Sequence, residues 1–252
     1  QPNHFSHVKP VRQKWFSCAC CPPNIARTLA ALGEYVCFTG EDAVYLNLLV
    51  GSRFSAELSG KKVTFTVKTG MPFFGNAEIR ISNPEGAKGT LFLRIPEYAE
   101  NPKVFRGEDL LADGPETGYL PIELFGKNET IALHFEMPAH FVYADPNLRA
   151  GAGRVAVKKG PLVYAAEQAD NGENLAALSV DTTKPPRVYH KEELLGGTDM
   201  IVLSGERLSR GDGKSLYRIV KPERIETEIR LIPYCYWDNR EPGEMMVWLR
   251  EK

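Results

Sequence analysis

The 252-residue sequence has no apolar run approaching the roughly 18 residues that a membrane-spanning helix needs. It also has almost no net charge. Its 31 basic and 32 acidic residues sum to −1, which gives no electrostatic footing for nucleic acid or an anionic membrane surface. Internal repeats, low-complexity tracts and the usual repeated Cys-x2-Cys pattern of zinc sites are all missing. The opening Gln1-Pro2-Asn3-His4 has neither the basic nor the apolar part of a signal peptide. Because Gln1 and not Met stands first, a piece of a longer protein is expected, with a cytoplasmic parent favoured over an exported one.

What remains is an ordinary globular composition with one dense cluster. Three of the five cysteines fall within Trp15-Phe16-Ser17-Cys18-Ala19-Cys20-Cys21-Pro22-Pro23-Asn24. A bridge between adjacent Cys20 and Cys21 would be badly strained, so a reduced compartment and thiolate chemistry fit better than a disulfide framework. Cys37 and Cys235 lie apart, beside aromatic and apolar neighbours, and are expected as packed structural thiols. The lead-in, residues 1–14, carries His4, His7, Lys9, Arg12 and Lys14 and reads as an irregular solvated segment.

Periodicity divides the rest. Ile25, Leu29, Leu32 and Val36 recur at helical spacing, predicting one amphipathic helix of about 12–15 residues starting near Pro23, with Asn24 beside its cap. Such a helix must bury its apolar face, and no other helix of its kind follows in this chain, so a helical domain upstream is expected. From Ala43 onward the period is two. Residues 44–50, 62–68, 77–81, 90–95 and 130–135 read as strands of a first antiparallel sandwich. After a crossing segment at 139–151, residues 154–157, 162–165, 200–203, 216–220, 226–232 and 244–249 form a second series. Residues 168–198 are expected as a long irregular excursion. The domain reading is a helical remnant over 1–40, a first β-sandwich over 41–140 that the C-terminal strand in 241–252 joins, and a second β-sandwich over 141–240.

The cluster admits three chemistries. Thiolates are favoured by a helix N-terminus and far more strongly by a metal ion, and adjacent cysteines can share one tetrahedral Zn²⁺. Yet Cys18, Cys20 and Cys21 supply three ligands at most. From the residues alone, structural zinc, a catalytic thiolate and inert buried cysteines stand level.

The motif from Trp15 to Asn24, continued by Ile25-Ala26-Arg27, resembles the cysteine motif of the β-L-arabinofuranosidases of glycoside hydrolase family 127. Gly153-Arg154-Val155-Ala156-Val157-Lys158-Lys159-Gly160-Pro161-Leu162-Val163-Tyr164 resembles that family's strand–turn–strand. Ile232-Pro233-Tyr234-Cys235-Tyr236-Trp237-Asp238-Asn239-Arg240 resembles its C-terminal end, and Leu32-Gly33-Glu34-Tyr35 also fits. The resemblance implies a mainly β chain: two antiparallel β-sandwich domains preceded by one helix of an otherwise absent (α/α)6 barrel. It implies Cys20 as the nucleophile and both Cys20 and Cys21 as zinc ligands, with Cys18 a bystander. The remaining ligands and the acid/base lie upstream, so this chain alone is expected to be inactive. The implied partners are an arabinose-containing oligosaccharide or glycoconjugate, the missing N-terminal helical barrel and a second copy in a homodimer. The alternative is a non-catalytic pair of carbohydrate-binding or domain-packing sandwiches with structural cysteines. Near the C-terminus, Trp237, Asp238, Asn239 and Arg240 form a polar–aromatic knot, read as a structural turn ahead of a sugar site.

Overall fold

A computed structural model of the chain describes Arg12, Lys14, residues 20–209, Tyr217 and residues 219–252. Two compact units emerge, one of residues up to Pro138 and one of Ala139–Lys252 together with Arg12 and Lys14. Strands dominate both.

The first unit is a two-layer sandwich. One layer has four strands in the order Cys37–Gly40, Ala43–Leu46, Lys88–Ile95 and Gly118–Phe125. The other has six, in the order Ser52–Leu58, Lys61–Thr69, Asn76–Ser82, Glu129–Glu136, Glu100–Arg106 and Asp109–Asp113. Alternation decides which side chains go inward. Val63, Phe65 and Val67 face the core from one strand, and Ile79 and Ile81 from its neighbour. Leu91, Leu93 and Ile95 meet them from the opposite layer, within one continuous apolar cluster. The six-stranded layer is antiparallel throughout, whereas Ala43–Leu46 and Lys88–Ile95 run parallel.

In the second unit the sheet wraps around its core. Arg154–Lys159 pairs with Leu162–Glu167, which pairs with Arg224–Pro233, then Thr198–Leu208, then Leu178–Val180, then Leu249–Glu251. Leu249–Glu251 pairs back onto Arg154–Lys159, so the circuit closes. Val155, Val157, Tyr164, Ile201, Leu203, Ile229, Leu231 and Leu249 fill the inside. Gly205 permits one tight crossing, because a Cβ there would lie 2.3 Å from the Ser179 carbonyl oxygen.

Four expectations are corrected. The C-terminal strand does not join the first sandwich: Leu249–Glu251 completes the second unit's circuit, where Leu249 is buried. Residues 168–198 are not a structureless excursion, because Leu178–Val180 and Arg187–Lys191 are strands paired to Thr198–Leu208. Residues 139–151 are not merely a crossing, because Ala139–Tyr143 is an edge strand on Arg154–Lys159. Within 216–220, Tyr217, Ile219 and Val220 lie in no strand, while Leu216 and Arg218 fall outside the described residues.

Candidate active site

The helix carrying the cluster is shorter than its periodicity suggests. It spans Cys21–Ala30, followed by a separate single turn, Gly33–Val36. Between them the ladder tightens: the Leu32 N–H reaches back only three residues to the Leu29 carbonyl, and the Glu34 and Tyr35 N–H groups also bond three residues back. The start lies two residues earlier than expected, with Cys20 in the cap position and Cys21 already helical. Asn24 is therefore inside the helix, where its side-chain oxygen accepts from Arg27 at 2.6 Å.

This placement changes the electrostatic argument. A helix N-terminus offers four unpaired N–H donors, from the cap residue and the first three helical residues. Here two of those positions are Pro22 and Pro23, which have no N–H. Only the amides of the two cysteines remain. The helix end is a weaker thiolate-stabilising device than the bare sequence pattern suggests.

The cysteine pair itself is well arranged for sharing an ion. Both thiols are exposed, and the two Sγ atoms lie 3.6 Å apart. Zinc–sulfur bonds of about 2.3 Å at the tetrahedral angle require sulfurs about 3.8 Å apart. The donor set and its spacing thus fit a tetrahedral thiophilic metal. Among the described residues, no cluster of three or more His, Cys, Asp or Glu side chains could hold a metal, so the pair would be two ligands of a larger set. Cys18, with the rest of residues 15–19, lies outside the described residues, as do His4 and His7.

The other two cysteines divide. Cys37 is half-buried against the first core, and burial pushes its thiol up. Cys235 is not packed as expected: it is exposed, in the turn Tyr234–Tyr236. Glu34, on the outside of the single turn, is exposed.

The polar–aromatic knot is a tied turn. Arg240 donates to Asp170 at 2.9 Å and to buried Glu167 at 3.1 Å, and the other Glu167 oxygen accepts the Asp238 N–H at 2.9 Å. The Tyr234 and Trp237 rings stack 5.8 Å apart. The loop also holds a residue that sequence reading left as solvated lead-in. Arg12 donates from Nε to the Trp237 carbonyl at 2.8 Å and from Nη2 to the Cys235 carbonyl at 3.4 Å. Nothing in the sequence signals this contact, because its partners stand 225 and 223 positions away.

Two family models divide the chain at the same place as its two compact units. Residues 43–137 match the β-L-arabinofuranosidase GH127 middle domain, and residues 139–250 match the glycoside hydrolase family 127 C-terminal domain. The chain belongs to glycoside hydrolase family 127. A non-reducing end β-L-arabinofuranosidase from Bifidobacterium longum subsp. longum is 33% identical over 97% of this chain. The GH127 β-L-arabinofuranosidase Ara127N-Se from Geobacillus stearothermophilus T6 is 38% identical over 98% of the chain, with a TM-score of 0.87. A second solved GH127 β-arabinofuranosidase is 32% identical over 96%, with a TM-score of 0.82. The chain spans only 39–40% of the length of these GH127 relatives.

Proposed function

We propose that this chain is the C-terminal part of a retaining β-L-arabinofuranosidase in which Cys20 is the nucleophile, and that Cys20 and Cys21 are two of the ligands of a zinc ion. The observation that carries the reading is the 3.6 Å separation of the two sulfurs at the start of one helix, close to the edge of a zinc–thiolate tetrahedron. The similarity to proteins named as β-L-arabinofuranosidases supplies the substrate class.

The chain's own contribution is the thiolate. In the first step Cys20 Sγ attacks the anomeric carbon, the sulfur–carbon bond forms and the glycosidic carbon–oxygen bond breaks. A carboxylic acid supplied from the upstream domain protonates the departing oxygen. In the second step that carboxylate takes a proton from water, the water oxygen bonds to the anomeric carbon, and the cysteine thiolate is released. The bound zinc would supply the positive charge that keeps thiols ionised at neutral pH. Cys21 stays out of the covalent chemistry and holds its sulfur beside Cys20.

The same reading accounts for the helix. Ile25 is 62% exposed and Leu29 67% exposed, so the apolar stripe is open in this chain, as a helix taken from a larger helical domain would be. The upstream domain would cover it and bring the acid/base. The test is zinc content and turnover of a chromogenic β-L-arabinofuranoside by the full-length parent and its Cys20→Ala and Cys21→Ala variants. Cys20→Ala is expected to lose turnover by about a thousandfold or more, and Cys21→Ala to lose both zinc and turnover. A Cys20→Ala enzyme as active as the parent would show that the nucleophile is elsewhere. These 252 residues alone are expected to turn over no substrate.

A further inference from the structure

The two outer faces of the first sandwich are built differently. On the six-stranded layer, the side chains alternating with core positions of Lys61–Thr69 and Asn76–Ser82 are Lys62, Thr64, Thr66, Lys68, Glu78 and Arg80. That is the polar set of a sheet face that meets water. On the four-stranded layer the outward positions in register are Phe38, Tyr45, Phe92 and Pro121, one from each strand. Their chain neighbours Val44, Leu46, Leu91 and Leu93 are buried, so the row faces away from the core. Phe38 is 55% exposed, and Tyr119, which stands beside the row, is 45% exposed. An apolar row across a whole sheet, opposite a polar face on the same sandwich, marks an interaction surface.

Ring orientation decides what this surface receives. A sugar lays its C–H groups on an open aromatic face. Here the Tyr45 and Phe92 rings stack on each other at 4.4 Å and 7°, and Tyr119 meets Tyr45 edge to face at 5.6 Å and 88°. What is left for a partner is ring edges with furrows between them, a surface for interdigitating apolar side chains. The row also runs on into the segment that leaves the cysteine-bearing helix. Asn47 accepts from the Tyr119 hydroxyl and donates to the Tyr35 carbonyl at 3.5 Å, while its own N–H bonds the Val36 carbonyl at 2.9 Å. The turn Gly33–Val36 is thus fastened beside the row, and exposed Leu32 and Tyr35 carry the apolar surface back along the chain towards the open stripe of Cys21–Ala30. We infer that the outer face of the four-stranded layer is a docking surface for apolar side chains of the upstream domain, which holds the sandwich as well as the helix. This chain spans only 39% of the Bifidobacterium relative, which leaves the larger part of such a protein to supply the cover. The docking rests on the reading of this chain as the C-terminal part of a longer enzyme.

The test places the photocrosslinker p-benzoylphenylalanine in the full-length parent, in place of Phe38 or, as a control on the polar face, in place of Lys68. Joined peptides are read by mass spectrometry. The crosslinker replacing Phe38 is expected to join peptides that precede Gln1, with a yield about fivefold or more above that of the Lys68 control. Hydroxyl-radical footprinting of the unaltered parent is the second readout. Phe38 and Phe74 are equally exposed in this chain, at 55%, and a docked domain excludes water from only one of them. Phe38 is therefore expected to oxidise about fivefold or more slowly than Phe74. Crosslinks to residues 139–252 or to a second copy overturn the inference, and so does oxidation of Phe38 at the Phe74 rate. Protection of Phe38 that arises only when an arabino-oligosaccharide is added overturns it in favour of a sugar site. Neither readout depends on zinc or turnover. A protected, upstream-crosslinked Phe38 in a parent whose Cys20→Ala variant keeps full turnover upholds the docking and defeats the nucleophile assignment. An open Phe38 in a parent that Cys20→Ala inactivates does the reverse.

Discussion

Asp199 shows what a single half-buried charge contributes in the C-terminal unit. Burial alone would raise its carboxyl, but hydrogen bonds from His190 at 2.9 Å and Lys159 at 3.0 Å, with the Lys159 charge, hold it below the ordinary value of 3.8. A carboxylate depressed in the folded state adds stability that is fully present above its unfolded-state value and is lost as pH falls through the folded value. Stability of this unit is therefore expected to decline as pH drops below 3.8, and Asp199→Asn to flatten that part of the profile. Acid titration followed by circular dichroism checks both. In the first unit, Phe65 is fully buried and stacks on Phe54 at 5.1 Å, so Phe65→Ala is expected to cost about 3–5 kcal/mol in urea denaturation. Among the cysteines, exposed Cys235 is expected to alkylate faster than half-buried Cys37, whose thiol burial pushes up.

At the scale of elements, the Cys21–Ala30 helix has an apolar stripe with no buried residue. Ile25→Ser with Leu29→Ser is expected to change the stability of this chain by less than about 1 kcal/mol, since exposed side chains lose little on truncation. In the full-length parent the same pair is expected to cost several-fold more, if the upstream domain packs on that stripe. Comparing the two denaturation midpoints decides it. The elements also show what was legible in sequence. Strands with clean alternation, such as Lys61–Thr69 and Glu129–Glu136, announced themselves because one face is buried and the other wet. Arg187–Lys191 did not, because all five of its residues are exposed and nothing alternates. Leu178–Val180 did not either, because three buried residues in a row carry no period. The cysteine pair was visible as a local motif, but the loss of helix N–H donors to Pro22 and Pro23 needed the helix start to be placed. Arg12 was invisible, since a bond across 225 positions leaves no local pattern.

On the scale of the whole molecule, each unit has its own apolar core. One is built from residues between Val36 and Met137, the other from residues between Val155 and Leu249. Separate cores predict separate responses: Phe65→Ala is expected to shift one thermal transition and Leu231→Ala, buried in the other core, a different one. Differential scanning calorimetry showing both variants moving the same single transition would mean that the units unfold as one. The route by which the second unit closes has a further meaning. Leu249–Glu251 sits between Arg154–Lys159 and Leu178–Val180, joining a strand made early to a strand made later. On the ribosome, the first unit has all its strands once Glu136 emerges and is free to fold during synthesis. The second must wait with its core open until residues 249–251 appear, so its circuit closes after the first unit's strands are complete.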